Sequence, residues 1–93
     1  MSNNNLFNLA DKRILITGAS KGLGSVCAIA LASFDARLAL MARSQDKLEA
    51  VRAGCLNPKK HLSIALDLTD LSQLRNGVAN AYAFLGGIDV VLH

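Results

Sequence analysis

A short apolar run near the start of the chain leads directly into a turn rich in glycine. Ile14, Leu15 and Ile16 come first, and the next residues read Thr17-Gly18-Ala19-Ser20-Lys21-Gly22-Leu23-Gly24. Glycine lets a backbone bend sharply and approach a bound pyrophosphate, and free N–H groups at the start of a helix carry partial positive charge. The order of strand, glycine turn and helix therefore predicts a dinucleotide-binding turn.

Each glycine of this turn has a predicted role. Gly18 makes the turn, Gly22 allows the cofactor to come close, and Gly24 lets the helix pack tightly against the strand. Three residues separate the first two glycines and one separates the last two, unlike the common G-x-G-x-x-G, so a tight turn that binds no ligand is the alternative. The predicted pyrophosphate-binding residues, with a hydroxyl and an ammonium donor among them, are Gly18, Ser20, Lys21, Gly22, Leu23 and Gly24.

Strand-like and helix-like segments alternate along the rest of the chain. Compact apolar runs at residues 12–17, 38–42 and 62–66 are candidate buried strands, and residues 88–92 are a fourth. The resulting order, β-α-β-α-β-α-β, implies right-handed crossovers and a parallel sheet. The predicted fold class is α/β, a Rossmann-like parallel sheet that forms the first half of a doubly wound fold. Residues 1–10 are predicted as an N-terminal tail and residues 11–93 as a truncated half-domain.

Three helices are predicted from apolar side chains that recur at steps of three and four. In the first helix, one face carries Leu23, Val26, Cys27, Ala30 and Leu31. In the third, the recurring residues are Leu74, Val78, Ala81 and Leu85. The second helix spans residues 45–53. Capping preferences place its start at Ser44 and its end at Gly54, and they place the third helix between a cap at Thr69 or Asp70 and a left-handed Gly86.

The composition limits the kinds of site and partner. A chain of 93 residues is one domain at most, and 52% hydrophobic residues argue against disorder. Cys27 and Cys55 lack partners at metal-ligand spacing, so both are expected to be reduced thiols, with no metal site. Neither a secretion signal nor a long apolar run occurs, which predicts a cytoplasmic protein without membrane contact. The net charge of +3 comes from scattered residues and favours an anionic ligand over nucleic acid.

Arg43 follows the second predicted strand, at a point where many dinucleotide-binding sheets carry an acidic residue. A carboxylate there binds the ribose hydroxyls of NAD, whereas a cation suits the 2′-phosphate of NADP. Ser44 and Lys21 could join Arg43 at that phosphate. The predicted cofactor is therefore NADP(H), and the alternative for Arg43 is a solvated cation at the end of a strand.

Asp67 follows the third predicted strand, in the run Leu66-Asp67-Leu68-Thr69-Asp70. A carboxylate in that position can accept a hydrogen bond from the adenine amino group, and the backbone of Leu68 offers a second polar contact. The alternative is that Asp67 caps the following helix. We assign the cap to Asp70 and the adenine contact to Asp67.

Taken in order, these features resemble the short-chain dehydrogenase/reductase family from residue 11 to residue 93. The resemblance rests on the spaced glycines, on Ala42-Arg43-Ser44, on Asp67-Leu68-Thr69-Asp70 and on Gly87-Ile88-Asp89-Val90-Val91-Leu92. It implies an oxidoreductase that exchanges hydride between NADP(H) and a small carbonyl or alcohol substrate, in a parent protein that is a homo-oligomer. Asp35 stands where the family usually has glycine, and Asp tolerates the positive φ that the turn requires.

The resemblance also implies that no catalytic residue lies in this sequence. In the family an Asn-Ala-Gly turn follows the fourth strand and the catalytic Ser, Tyr and Lys come later, so the chain alone is expected to be inactive. Tyr82 lacks the Tyr-x-x-x-Lys spacing and is expected to be a packing residue. Two alternatives stay open: a non-catalytic NADP(H)-binding or regulatory module, and a structural remnant that binds no cofactor. The substrate is not specified.

Overall fold

The computed structural model describes residues 9–93. In chain order the elements are β1 (Arg13–Thr17), α1 (Gly22–Ser33), β2 (Arg37–Ala42), α2 (Gln45–Ala53), a short 3-10 helix (Pro58–Lys60), β3 (Leu62–Ala65), α3 (Leu71–Leu85) and β4 (Val90–Leu92). The predicted order of strands and helices is confirmed. Within the described range, no helix combines the length and hydropathy needed to cross a membrane. Of the predicted N-terminal tail, residues 1–8 lie outside the described residues.

All four strands run parallel in the order β3-β2-β1-β4. In the register of the sheet, Ile14 of β1 pairs with Leu38 of β2 on one side and with Val90 of β4 on the other. The chain moves outward from β1 to β3 and then returns to the far side of β1, so the strand order reverses between β1 and β4. Open parallel sheets form their ligand crevice at such a reversal, outside the carboxyl ends of the strands. The α/β, Rossmann-like fold class is confirmed.

Helices cover both faces of the sheet. Alternate side chains of a strand point to opposite faces, so a strand that is covered on both faces is apolar throughout. Helices α1 and α2 pack on one face, against Ile14, Ile16, Leu38 and Leu40. Helix α3 packs on the other face, against Leu15, Ala39 and Met41. These two layers explain why β1 and β2 were recognisable as unbroken apolar runs.

The predicted helix boundaries are confirmed at Ser44, Gly54, Asp70 and Gly86. Asp70 rather than Thr69 caps α3, because its carboxylate accepts hydrogen bonds from two backbone N–H groups in the first turn, at 3.0 and 3.2 Å. Asp35 adopts a φ of 68°, in the left-handed region. The turn before β2 therefore forms with aspartate at the position where the family usually has glycine.

Helix α1 does not bury the face predicted for it. Its buried residues are Ala28 and Ala32, whereas Leu23 is 79% exposed and Val26 is 63% exposed. The prediction is wrong because nearly every residue of α1 is apolar, so spacing alone does not distinguish its faces. The small alanine side chains allow the helix to lie close to the sheet.

Two further predictions of burial are wrong. The fourth strand was expected to be buried, but Val90–Leu92 is exposed throughout, since β1 is its only neighbour among the described strands. Tyr82 was expected to be a packing residue, but it is 60% exposed. The buried residues of α3 are Gly77, Ala81 and Leu85, so the face predicted for this helix is confirmed at Ala81 and Leu85, whereas Val78 is exposed.

An ion pair fixes the start of β4 against β1. Nε and Nη2 of Arg13 each donate to the Asp89 carboxylate at 2.9 Å, and Nη1 donates to the Gly86 carbonyl at 2.7 Å. This pairing holds the pKa of the Asp89 carboxyl well below its usual range, chiefly through the side-chain hydrogen bond. Arg13 thereby joins the end of α3 and the start of β4 to the central strand.

Candidate functional site

The three predicted parts of the site meet at the carboxyl edge of the sheet. The glycine turn follows β1, Arg43 follows β2 and Asp67 lies just beyond β3. The Ala19 N–H donates to the Met41 carbonyl at 3.1 Å, and the Leu66 N–H, just after β3, donates to the carbonyl of Ala42, the last residue of β2, at 2.9 Å. The three loops are therefore anchored side by side.

The glycine turn has the backbone that its sequence predicts. Gly18 and Gly22 adopt φ values of +66° and +59°, a conformation that side chains with a Cβ disfavour. A Cβ on Gly24 would clash with the Gly18 carbonyl oxygen and would also lie 3.1 Å from the carbonyl carbon of that residue. All of these neighbours are backbone atoms, so the close approach of α1 to the turn requires glycine at position 24.

The first turn of α1 is open to an anionic ligand. The first N–H groups of a helix have no partner within the helix and carry its positive partial charge. The Lys21 side chain does not cap them, and no acidic residue lies in the first turn. Ser20 is half-buried beside the turn, while Lys21 and Leu23 are exposed. These residues surround the helix start at which the sequence predicts a pyrophosphate.

A cavity of about 290 Å³ lies beside the glycine turn. Gly18 and Gly24 line one side, Leu23 and Cys27 of α1 line another, and the end of β4 completes it. This is the crevice at which the strand order reverses. Its position agrees with the site at which parallel sheets of this topology bind nucleotides.

Arg43 and Ser44 border a separate region at the end of β2. The Arg43 side chain is 80% exposed, and its Nη2 lies 3.9 Å from Oδ1 of Asp67, a long ion pair. Ser44 accepts a hydrogen bond from the Lys47 N–H at 3.3 Å as the cap of α2, which leaves its hydroxyl hydrogen available as a donor. Both residues can therefore reach an anionic group at this edge.

Asp67 does not cap α3. Its Oδ1 accepts hydrogen bonds from the backbone N–H of Thr69 at 2.9 Å and from the Thr69 hydroxyl at 2.7 Å. These bonds, with a smaller contribution from Arg43, lower the pKa of the Asp67 carboxyl. No described residue donates to Oδ2 of Asp67, and none accepts from the Leu68 N–H. An acceptor oxygen of Asp67 and the N–H of the next residue are thus without a partner among the described residues.

Gln73 is a site residue that the sequence analysis missed. It lies on α3, lines a cavity of about 420 Å³ with Arg43 and Asp67, and accepts a hydrogen bond from the Asp67 backbone N–H at 3.0 Å. A glutamine three residues after a capping aspartate is a signal for a capping box. That signal was available in Asp70 and Gln73, but it does not reveal the contact with Asp67.

A family model for short chain dehydrogenases matches residues 12–93. The chain belongs to the short-chain dehydrogenase family. Members of this family are oxidoreductases that use nicotinamide dinucleotide cofactors. The resemblance drawn from the glycine turn, the strand-end residues and the fourth strand is therefore confirmed at the level of the family.

Curated relatives of this short-chain dehydrogenase chain include two sugar-related enzymes of Gluconobacter oxydans. Gluconate 5-dehydrogenase is 34% identical over 94 residues, which cover 100% of this chain and 37% of that protein. Glucose 1-dehydrogenase is 34% identical over 85 residues, which cover 89% of this chain and 32% of that protein. The chain spans about a third of the length of these relatives.

Solved structures of the family share the fold. A short-chain type dehydrogenase/reductase from Mycobacterium marinum is 40% identical with a TM-score of 0.89, over 98% of this chain and 37% of that one. A 3-ketoacyl-(acyl-carrier-protein) reductase from Brucella melitensis, 26% identical with a TM-score of 0.83 over 89% of this chain and 33% of that one, is a complex with NADH. In that neighbour, a protein of similar fold therefore binds a nicotinamide dinucleotide.

Proposed function

We propose that residues 11–93 form the NADP(H)-binding half-domain of a short-chain dehydrogenase/reductase. The whole protein would exchange hydride between NADP(H) and a small carbonyl or alcohol substrate. The observation that carries the choice of NADP(H) is the exposed Arg43 guanidinium at the end of β2, on the rim of the cavity that Asp67 and Gln73 also line.

The residues present fit such a cofactor at both ends of its adenosine diphosphate portion. Gly18 and Gly22 leave room for a pyrophosphate at the open start of α1, and Gly24 lets α1 begin close to the turn. Oδ2 of Asp67 and the N–H of Leu68 match the amino group and a ring nitrogen of adenine. Arg43, with Ser44 and Lys21, supplies positive charge and donors for the 2′-phosphate.

The preference for the 2′-phosphate follows from charge. A charge-assisted hydrogen bond contributes about 1.5 to 3 kcal/mol, and the lower end applies here because solvent screens the Arg43 side chain. That energy corresponds to roughly tenfold discrimination between NADPH and NADH. Asp67 pairs with Arg43 only at 3.9 Å, so little is lost when the guanidinium turns towards a phosphate.

This chain contributes binding and orientation to the proposed reaction. When bound, the nicotinamide donates or accepts the hydride. The glycine turn and the start of α1 hold the pyrophosphate, while Arg43 and Asp67 fix the adenosine end. We assign no catalytic residue in the described part of the chain.

Titration of the protein with NADPH and NADH tests the proposal. Arg43→Ala should weaken NADPH binding about tenfold and leave NADH binding nearly unchanged. Arg75→Ala is the matched control, because Arg75 is an exposed arginine of α3 that forms no ion pair with a described residue. Equal affinity of the unaltered protein for the two cofactors would overturn the assignment of Arg43.

A second candidate function is a module that binds NADP(H) without catalysis. Its cofactor site would consist of the same residues, so binding alone does not distinguish it from the first. Oxidation of NADPH by the natural protein in the presence of carbonyl compounds, followed by absorbance at the nicotinamide band, separates the two. Tight NADPH binding without turnover would favour the module.

A further inference from the structure

The Asp67 loop is held by a side chain that lies six positions further along the chain. Oε1 of Gln73 accepts the hydrogen bond of the Asp67 N–H at 3.0 Å. The Nε2 group of the same side chain donates to Oδ2 of Asp70 at 3.2 Å, which fixes the orientation of the amide. Gln73 thus connects the start of α3 to the residue assigned to adenine.

This contact differs from an ordinary capping box. In a capping box the side chain at the third helical position returns to the backbone N–H of the capping residue. Here the N–H of Asp70 already donates to the Asp67 carbonyl at 3.0 Å. Gln73 reaches past it to the N–H of Asp67 instead.

Asp67 is consequently held at three points, although its side chain is 44% exposed. Gln73 binds its N–H, Asp70 binds its carbonyl and Thr69 binds Oδ1. Only Oδ2 has no donor among the described residues. A carboxylate fixed in this way loses little conformational freedom when a ligand donates to it.

We propose that Gln73 is a positioning residue for adenine recognition, which acts by holding Asp67 so that Oδ2 faces the adenine amino group. This inference rests on the proposed function, because it needs a dinucleotide at the carboxyl edge of the sheet. Without the Gln73 amide, the Asp67 N–H loses its acceptor and the loop gains freedom. The free carboxylate oxygen then no longer has a single orientation.

The test compares NADPH with its hypoxanthine analogue, which carries a carbonyl oxygen in place of the adenine amino group. We expect the unaltered protein to prefer NADPH, and Gln73→Ala to reduce that preference about three- to tenfold. A substitution that merely destabilised α3 would weaken the binding of both ligands to the same extent. Asn76→Ala is the matched control, because Asn76 is an exposed amide one turn further along α3 and forms no hydrogen bond with Asp67.

A second measurement needs no cofactor. Hydrogen exchange of the Asp67 amide in the free protein should be faster in Gln73→Ala than in Asn76→Ala. Gln73→Glu provides a variant of similar size, which keeps an acceptor for Asp67 but loses the donor to Asp70. It should retain part of the preference for adenine.

The outcomes separate the two proposals. Retention of the full preference for NADPH by Gln73→Ala, or an unchanged rate of Asp67 exchange, would overturn the role of Gln73 and leave the proposed function intact. Absence of binding of either dinucleotide to the folded, unaltered protein would overturn the proposed function. Equal affinity of the unaltered protein for NADPH and its hypoxanthine analogue would overturn the adenine role of Asp67, and with it the role of Gln73.

Discussion

Replacement of Gly24 by alanine should destabilise the protein and disrupt the glycine turn. The added Cβ would clash with the Gly18 carbonyl oxygen and would lie 3.2 Å from Cα of Ala19. These atoms belong to the backbone and cannot rotate away. The loss from overpacking is about 1 to 3 kcal/mol, and the higher helix propensity of alanine offsets about 1 kcal/mol of it. Because the closest contact is severe, we expect a net loss of about 1 to 2 kcal/mol.

Thermal unfolding followed by circular dichroism measures this effect. A loss of that size lowers the unfolding temperature of a domain of this length by roughly 4 to 16 °C. Gly54→Ala is the matched control, because a Cβ at Gly54 would have its nearest neighbours at 3.5 Å and 3.7 Å. It should be neutral or stabilising. If Gly24→Ala unfolds at the same temperature as Gly54→Ala, the steric argument for the turn is wrong.

Three further predictions concern the fold. Burial lowers the pKa of His61, whose Nδ1 accepts from the Leu38 N–H at 3.2 Å. The unfolded chain, with a pKa near 6.5, therefore binds the proton first, so the free energy of unfolding should fall as the pH is lowered from 7 to 5. Urea denaturation should show a weaker dependence on pH in His61→Gln, and an unchanged dependence would contradict this reasoning. Asp70→Ala should lower the free energy of unfolding by about 1 kcal/mol in the same assay, through loss of the α3 cap, and an unchanged value would argue against that cap. Asp89→Asn should lower the unfolding temperature more than Asp11→Asn, since Asp89 forms the ion pair with Arg13 and Asp11 forms none with a described residue; equal effects would refute the role of that pair.

Local signals were sufficient for much of the fold. The apolar run of β1 and the glycine turn are adjacent in the sequence, and their geometry depends mainly on backbone sterics. The left-handed conformation of Asp35 and the cap at Asp70 follow from the same kind of local chemistry. Such features can be predicted because they need no knowledge of distant contacts.

Other features depend on contacts between distant or competing side chains. The sequence does not identify the buried face of α1, because a helix with almost no polar residues has no polar face that would mark the opposite side as buried. The pairing of Arg13 with Asp89 joins residues 76 positions apart and leaves no periodic pattern. Gln73 lies only six positions from Asp67, but its contact with the Asp67 N–H replaces the capping-box contact that its spacing predicts.

The site residues could be named from sequence because each follows a strand of a parallel sheet, and the carboxyl ends of such strands share an edge. Arg43 and Asp67 lie side by side for that reason. The choice of NADP(H) has a different basis, since it follows from the charge of Arg43 and not from the shape of the fold. It stays a prediction that only binding can test.

The most direct test of this account measures the binding of adenosine 2′,5′-bisphosphate and of adenosine 5′-monophosphate to the protein. These ligands differ only in the 2′-phosphate, and they need only the adenosine end of the site, which the described residues form. We predict that the bisphosphate binds about tenfold more tightly and that Arg43→Ala removes the difference. Equal affinity for the two ligands, or a difference that persists in Arg43→Ala, would contradict the account.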